Sequence, residues 1–203
     1  SSTSRGLGDV YKRQEESHTY EIGKALAEMH LNVTNFKLEK KNDLSYNGWS
    51  NLIEANQKKL NFLEENLYNK LKKELNRIRD LWPKDLPSGI IHADLFPDNV
   101  LFLNNKVSGL IDFYFSCNDF FAYDLSICIN AWCFNKENKF SKEIFRSLLK
   151  GYQELKPLTD SELENLPVLC SGSALRFLLT RVDNWNSSNE AVSYTHLTLP
   201  TKA

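Results

Sequence analysis

The sequence has no apolar run approaching the roughly twenty residues needed to cross a bilayer. Its start does not combine basic, apolar and small-residue regions in the manner of a signal peptide. No block of Lys and Arg concentrates basic charge, and the formal net charge is only -1. Electrostatics therefore gives no reason to expect nucleic acid or an anionic membrane as a partner, and the cytoplasm is the expected compartment. Cys117, Cys128, Cys133 and Cys170 form no C-x-x-C pair, so neither a zinc knuckle nor a dithiol centre is written here. They sit in apolar or aromatic surroundings and read as reduced core residues. Internal repeats and low-complexity linkers are also missing.

What is present suits one soluble globular core: 203 residues, of which 41% are hydrophobic and 12% aromatic. Residues 1 to 14 and 191 to 203 show no apolar periodicity and resemble translated sequencing-adapter read-through, so they are set aside as foreign. Residues 15 to 190 are expected to form the domain, and the natural gene product is expected to extend beyond this chain at both ends.

Within 15 to 190 the apolar spacing is mostly helical. Ile22, Ala25, Leu26 and Met29 predict a helix over 17 to 30. Leu60, Leu63, Leu67, Leu71, Leu75 and Ile78 predict a long one over 51 to 81, ended by Pro83 and Pro87. The run 121 to 134 is apolar almost all round, as in a helix buried on most sides. Phe145, Leu148, Leu149 and Tyr152 mark a further helix. Thr159 with Glu162 is a capping box opening a short helix, and Leu175, Leu178, Leu179 and Val182 mark a last one.

The centre departs from helix. Residues 100 to 103 and 107 to 111 are short β-favouring runs around Asn104, Asn105 and Lys106, which predicts a β-hairpin. A hairpin returns the chain to its starting point, so Asn99 and Asp112 should end side by side, with Asp94 on the loop leading into the same corner. Three oxygen-bearing side chains then converge among apolar sequence, which is costly without a cation. Phosphoryl transfer requires such a set: hard oxygen ligands for Mg2+, and a separate carboxylate to orient or deprotonate the attacking hydroxyl. Asn99 and Asp112 fit the metal role and Asp94 fits the base. His92 is expected to hold the loop through backbone hydrogen bonds. Asp124 is expected to cap the buried helix or brace the loop, and His30 to pack or meet a helix dipole.

The spacing H-x-D-x-x-x-x-N, followed after the hairpin by Asp112-Phe113, matches protein kinases and the aminoglycoside phosphotransferases that share their fold. Around it, Gly89-Ile90-Ile91-His92-Ala93-Asp94-Leu95-Phe96-Pro97-Asp98-Asn99 resembles the homoserine kinases of the aminoglycoside-phosphotransferase-like type. So do Gly109-Leu110-Ile111-Asp112-Phe113-Tyr114-Phe115, Ala122-Tyr123-Asp124-Leu125 and Ser173-Ala174-Leu175-Arg176-Phe177 with Thr180-Arg181.

The resemblance implies an α+β, mostly α fold: a protein-kinase-like carboxy-terminal lobe with a short central hairpin. It implies ATP as co-substrate, Mg2+ as cofactor and L-homoserine as acceptor, a step in threonine biosynthesis. Homoserine carries a carboxylate, and Arg176 and Arg181 are the candidates to bind it. Another kinase of the fold, acting on an aminoglycoside, choline or a related amino alcohol, is the alternative. A non-catalytic module is disfavoured because base and metal residues are intact. No Gly-rich loop after a strand and no V-A-I-K-like strand precedes residue 15. The amino-terminal lobe is therefore expected to be absent and the fragment alone to be inactive.

Overall fold

The computed structural model describes residues 16 to 37, 39 to 135 and 137 to 185. Both end segments read as foreign lie outside them. In chain order the described residues form helices α1 (Glu16–Asn32), α2 (Tyr46–Ala55), α3 (Gln57–Leu63) and α4 (Leu67–Leu81), then strand β1 (Ser88–Ile91). The hairpin β2 (Val100–Leu103) and β3 (Lys106–Leu110) and strand β4 (Cys117–Phe120) follow, then α5 (Phe121–Trp132), α6 (Lys142–Leu155) and α7 (Asp160–Asn184).

The fold is mostly helical, as the apolar periodicity predicts, with the core centred on α5. From Phe121 to Ile129 every residue of α5 is buried, because α7, α1, α6 and both β1 and β4 pack around it. A helix enclosed on all sides has no use for a polar face, which is why its sequence is apolar all round.

The stripe over 51 to 81 keeps its core positions but is cut into three helices. Leu60, Leu67, Leu71, Leu75 and Ile78 are buried, while the chain leaves helical geometry at Asn56 (φ -109°) and at Asn66, which is left-handed (φ 63°). Asparagine tolerates that conformation. At the first break the Asn56 amide donates to Leu52 O and, at 2.8 Å, to Asp183 Oδ1 on α7. A tertiary bond thus competes there with helix continuation.

The reverse correction applies at the end of the chain, where two expected helices are one. Helix α7 opens on the capping box of Thr159 and Glu162 and runs through Pro167. Pro167 is exposed, so the carbonyl that loses its partner can be hydrated and the helix is not broken.

The hairpin forms with Val100 opposite Leu110 and Leu103 opposite Lys106. Its turn residues Asn104 and Asn105 both have positive φ, 51° and 62°, the pattern a two-residue primed turn requires. A second ladder was not expected: β1 pairs antiparallel with β4, Ser88 opposite Phe120 and Ile91 opposite Cys117. Four-residue strands, one carrying Asn118 and Asp119, leave too little pattern to read. This ladder carries the chain into His92 on one side and receives it after Phe115 on the other.

Helices α1 and α6 cross closely at two glycines. A Cβ at Gly23 would lie 2.1 Å from Leu148 O, and one at Gly151 would lie 2.0 Å from Tyr20 O. Both obstacles are backbone, so neither can rotate away. Gly23→Ala should therefore cost about 2 kcal/mol or more by forcing the helices apart, measured by denaturant unfolding. An unchanged midpoint would show that the crossing is looser than described.

Candidate active site

The loop from His92 to Asn99 leaves β1, makes a 3-10 turn over Pro97–Asn99 and enters β2. It has little regular structure, so its backbone groups need other partners. Asp124, buried on the first turn of α5, accepts from His92 N at 2.7 Å through Oδ2 and from Ala93 N at 2.8 Å through Oδ1. Asp94 N donates to His92 Nδ1 at 3.3 Å. Arg176 Nη1 donates to Ala93 O at 2.6 Å, and Trp132 Nε1 donates to Leu95 O at 2.8 Å. Asp94 O accepts from the Asn99 amide at 2.7 Å and from Phe96 N at 2.8 Å.

His92 ties this loop to the second one. Its Nε2 lies 3.0 Å from Ile111 O. A carbonyl only accepts, so Nε2 carries the proton and Nδ1 is free to accept from Asp94 N. Ile111 N donates to Asn99 O at 3.0 Å. Asp112 thus stands at the base of the hairpin beside Asn99, exposed and left-handed (φ 62°), followed by the 3-10 turn Phe113–Phe115. Ala93, directly before Asp94, is also left-handed (φ 64°). Each such residue costs about 1 kcal/mol, and residues held this way cluster at functional sites.

Asp94 is half-buried. Burial raises its carboxyl above the usual range and the Asp112 charge adds to this, while Arg176, His92 and the Asn99 amide pull it back. For Asp124, burial alone would raise the carboxyl. The hydrogen bond and charge of His30 and the His92 amide outweigh that and hold it below the usual range.

Of the two roles expected of His30, the structure shows packing. It is fully buried, with Nε2 3.0 Å from Asp124 Oδ2 and Nδ1 2.8 Å from the Tyr152 hydroxyl. The signal was available, since Ile22, Leu26 and His30 fall on one helix face. Asp124 likewise leaves its own helix uncapped: the residue before α5 is Phe120, with no side-chain cap bond.

The two arginines separate. Arg176 is 1% exposed and its guanidinium lies under Ala93, facing the rings of Phe115 and Phe177. Its contacts among the described residues are with the loop and these rings. Arg181 passes over the Phe96 ring at 6.0 Å; burial lowers its pKa and the Asp94 charge opposes that. It therefore lies on the Asp94 side of α7.

The Asn99 amide nitrogen is committed to Asp94 O and, at 3.2 Å, to Asp94 Oδ2, so Asn99 Oδ1 keeps its lone pairs. Together with the Asp112 carboxylate this makes two hard oxygen donors, a set that fits Mg2+ when nucleotide phosphates and water complete the shell. Among the described residues no group of three or more His, Cys, Asp or Glu side chains could hold an ion without such help.

Comparison with known proteins gives the family and the fold. The model of the phosphotransferase enzyme family matches residues 3–158. The chain is 49% identical over 174 residues to a homoserine kinase of Agrobacterium fabrum, covering 86% of this chain and 54% of that protein. It is 47% identical over 184 residues to one of Rhizobium johnstonii, covering 91% and 57%. The chain thus spans about half the length of the curated relatives it matches. An amicoumacin kinase solved with AMP-PNP shares the fold, with a TM-score of 0.63 at 14% identity over 88% of this chain and 55% of that one.

Because Asp124 is held below the usual carboxylate range, its contribution to stability is fully present above the unfolded pKa, about 3.9, and is lost as pH falls through the lower folded value. Asp124→Asn puts an NH2 against a backbone N–H and should cost about 3 kcal/mol at neutral pH. Denaturant unfolding at several pH values should show that gap constant above about pH 4 and narrowing below it. A gap that widens on acidification would contradict the assignment.

Proposed function

The chain belongs to the phosphotransferase enzyme family, and from that premise we propose that it carries the catalytic lobe of an ATP-dependent homoserine kinase. The convergence of Asp94, Asn99 and Asp112 at the base of one hairpin carries the phosphotransfer reading. The names of relatives 49% and 47% identical over most of this chain support homoserine as the acceptor. The described residues contribute the base and metal ligands. A phosphate-covering loop and its lysine are to come from an amino-terminal lobe outside residues 15 to 190, and the fragment alone is to be inactive. No helix among the described residues is long and apolar enough to cross a membrane, and the proposed compartment is the cytoplasm.

In this reading Asp94 accepts the proton of the homoserine hydroxyl as its oxygen forms a bond to the γ-phosphorus of ATP. The bond from that phosphorus to the β–γ bridging oxygen breaks, and ADP leaves. The raised pKa of Asp94 suits a base, because a more basic carboxylate takes a proton more readily. Asn99 Oδ1 and the Asp112 carboxylate would hold Mg2+ against the nucleotide phosphates. When bound, the ion neutralises phosphate charge. His92 and Asp124 touch neither substrate and support the loop that does. Arg181, on the Asp94 side of α7, would meet the acceptor carboxylate, a role its electrostatic contact with Asp94 supports.

A longer protein carrying both lobes should phosphorylate homoserine in preference to aminoglycosides, choline and ethanolamine. Preference for one of those would overturn the acceptor assignment while leaving phosphotransfer intact. In that protein Asp94→Asn should lower turnover about a hundredfold or more with Mg2+ and ATP binding nearly unchanged. Asp112→Asn should weaken Mg·ATP binding as well as turnover, with part of the loss recovered at high Mg2+, and Asn99→Ala should do the same more mildly. Rescue of Asp94→Asn by Mg2+, with none for Asp112→Asn, would reverse the roles.

A further inference from the structure

Arg176 occupies a position that a hydrophobic side chain would fill more cheaply. Among the described residues no carboxylate makes an ion pair with it, yet it is almost fully buried. A buried cation without a contacting anion pays a desolvation cost that packing alone does not repay. What it touches is specific. Nη1 donates to Ala93 O at 2.6 Å, the carbonyl of the left-handed residue immediately before Asp94. The guanidinium carbon lies 5.4 Å from the Phe115 ring, in the turn that follows the left-handed Asp112, and 4.6 Å from the ring of Phe177 on its own helix.

One cation therefore reaches both loops, by a hydrogen bond to one and a cation–π contact with the other. All three residues of this turn are exposed, Phe115 least of them, and Phe115 is the one whose ring lies beside the Arg176 guanidinium. Lysine, a point charge on a flexible stem without arginine's rigid fork, can supply the bond but is less pre-organised to reach both loops at once.

We propose that Arg176 is a positioning residue that sets the spacing between the base Asp94 and the metal-holding Asp112 by clamping the loop of each. This rests on the phosphotransfer reading for what the two carboxylates do. The clamp itself is a statement about the fold of this chain. Asp94 and Asp112 are on separate segments joined by the hairpin, tied to each other by the Ile111 N to Asn99 O bond, by His92 Nε2 to Ile111 O and by the β1–β4 ladder. Arg176 adds a tie of another kind, from α7 and through a side chain, to Ala93 directly before Asp94 and to Phe115 just after Asp112. A misplacement of about 1 Å between such groups can cost a hundredfold in rate.

The test has two parts. Amide hydrogen exchange on the 203-residue chain reads the clamp directly. Arg176→Met should speed exchange at Ala93 and Phe96 in one loop and Ser116 in the other by about tenfold together, with the α1 and α6 amides as the control for global opening. Phe115→Leu keeps the arginine and guards against a variant that fails to fold; it should speed the Ala93 amide, which lies on the opposite loop. Loops that respond singly, or an Ala93 amide indifferent to Phe115→Leu, would overturn the proposal.

Kinetics on the two-lobe protein reads the consequence. Arg176→Met should lower kcat about a hundredfold with the acceptor KM within about threefold, and Arg176→Lys should recover about tenfold of that loss. A raised acceptor KM with kcat spared would make Arg176 a substrate ligand and overturn the clamp. Wild-type protein inactive on every alcohol would sink the phosphotransfer reading instead, and the exchange result would still decide whether the clamp exists.

Discussion

The arrangement depends on one buried carboxylate. Asp124 has four lone-pair directions to satisfy and meets two consecutive backbone amides, those of His92 and Ala93, with His30 on the remaining side. Two successive N–H groups aimed at one side chain force the chain to turn, and that turn puts Ala93 in the left-handed region and swings Asp94 out of the core. A hydrogen bond to a charged group is worth roughly twice a neutral one, enough to offset the strain at Ala93. The three helices that build this support come from separate parts of the sequence: α1 brings His30, α5 brings Asp124 and α6 brings Tyr152. The close glycine crossing of α1 and α6 is what lets His30 and Tyr152 meet.

Much of this was legible in the sequence, and where it was not the reason is physical. The hairpin could be read because its apolar runs and Asn-Asn turn are local signals. The α5 helix could be read because burial on all sides removes the polar face. The breaks at Asn56 and Asn66 could not be read, since the leucine stripe continues through them and only tertiary bonds such as Asn56 to Asp183 decide where the helix stops. Strands β1 and β4 were invisible because their pairing is long-range and each is too short to carry a period.

The candidate site divides the same way. Asp94, Asn99 and Asp112 stand out because their spacing is written along the chain. The partners of their loops come from distant helices and carry no local mark. Arg176 was a candidate for the acceptor carboxylate because its stretch of sequence resembles the homoserine kinases. In the structure it is buried under Ala93. His30 was expected to pack or to meet a helix dipole, and its place on the face of Ile22 and Leu26 favours the packing that is found. In both cases the polar side chain is where it is because a loop with few backbone partners of its own needs donors and acceptors from the surrounding helices.

Asp94 and Asp112 repel each other, and the structure holds them in different surroundings. One is drawn into the protein, with a raised pKa and the Asn99 amide against it. The other stays at the surface beside the freed Asn99 oxygen. That asymmetry is the central claim, and locating a metal ion tests it most directly. A crystal of the two-lobe protein with Mn2+ and a non-hydrolysable ATP analogue should show the anomalous peak about 2.1 to 2.3 Å from Asn99 Oδ1 and an Asp112 oxygen, with Asp94 left open toward the acceptor. A peak coordinated by Asp94, with Asp112 turned to solvent, would contradict it.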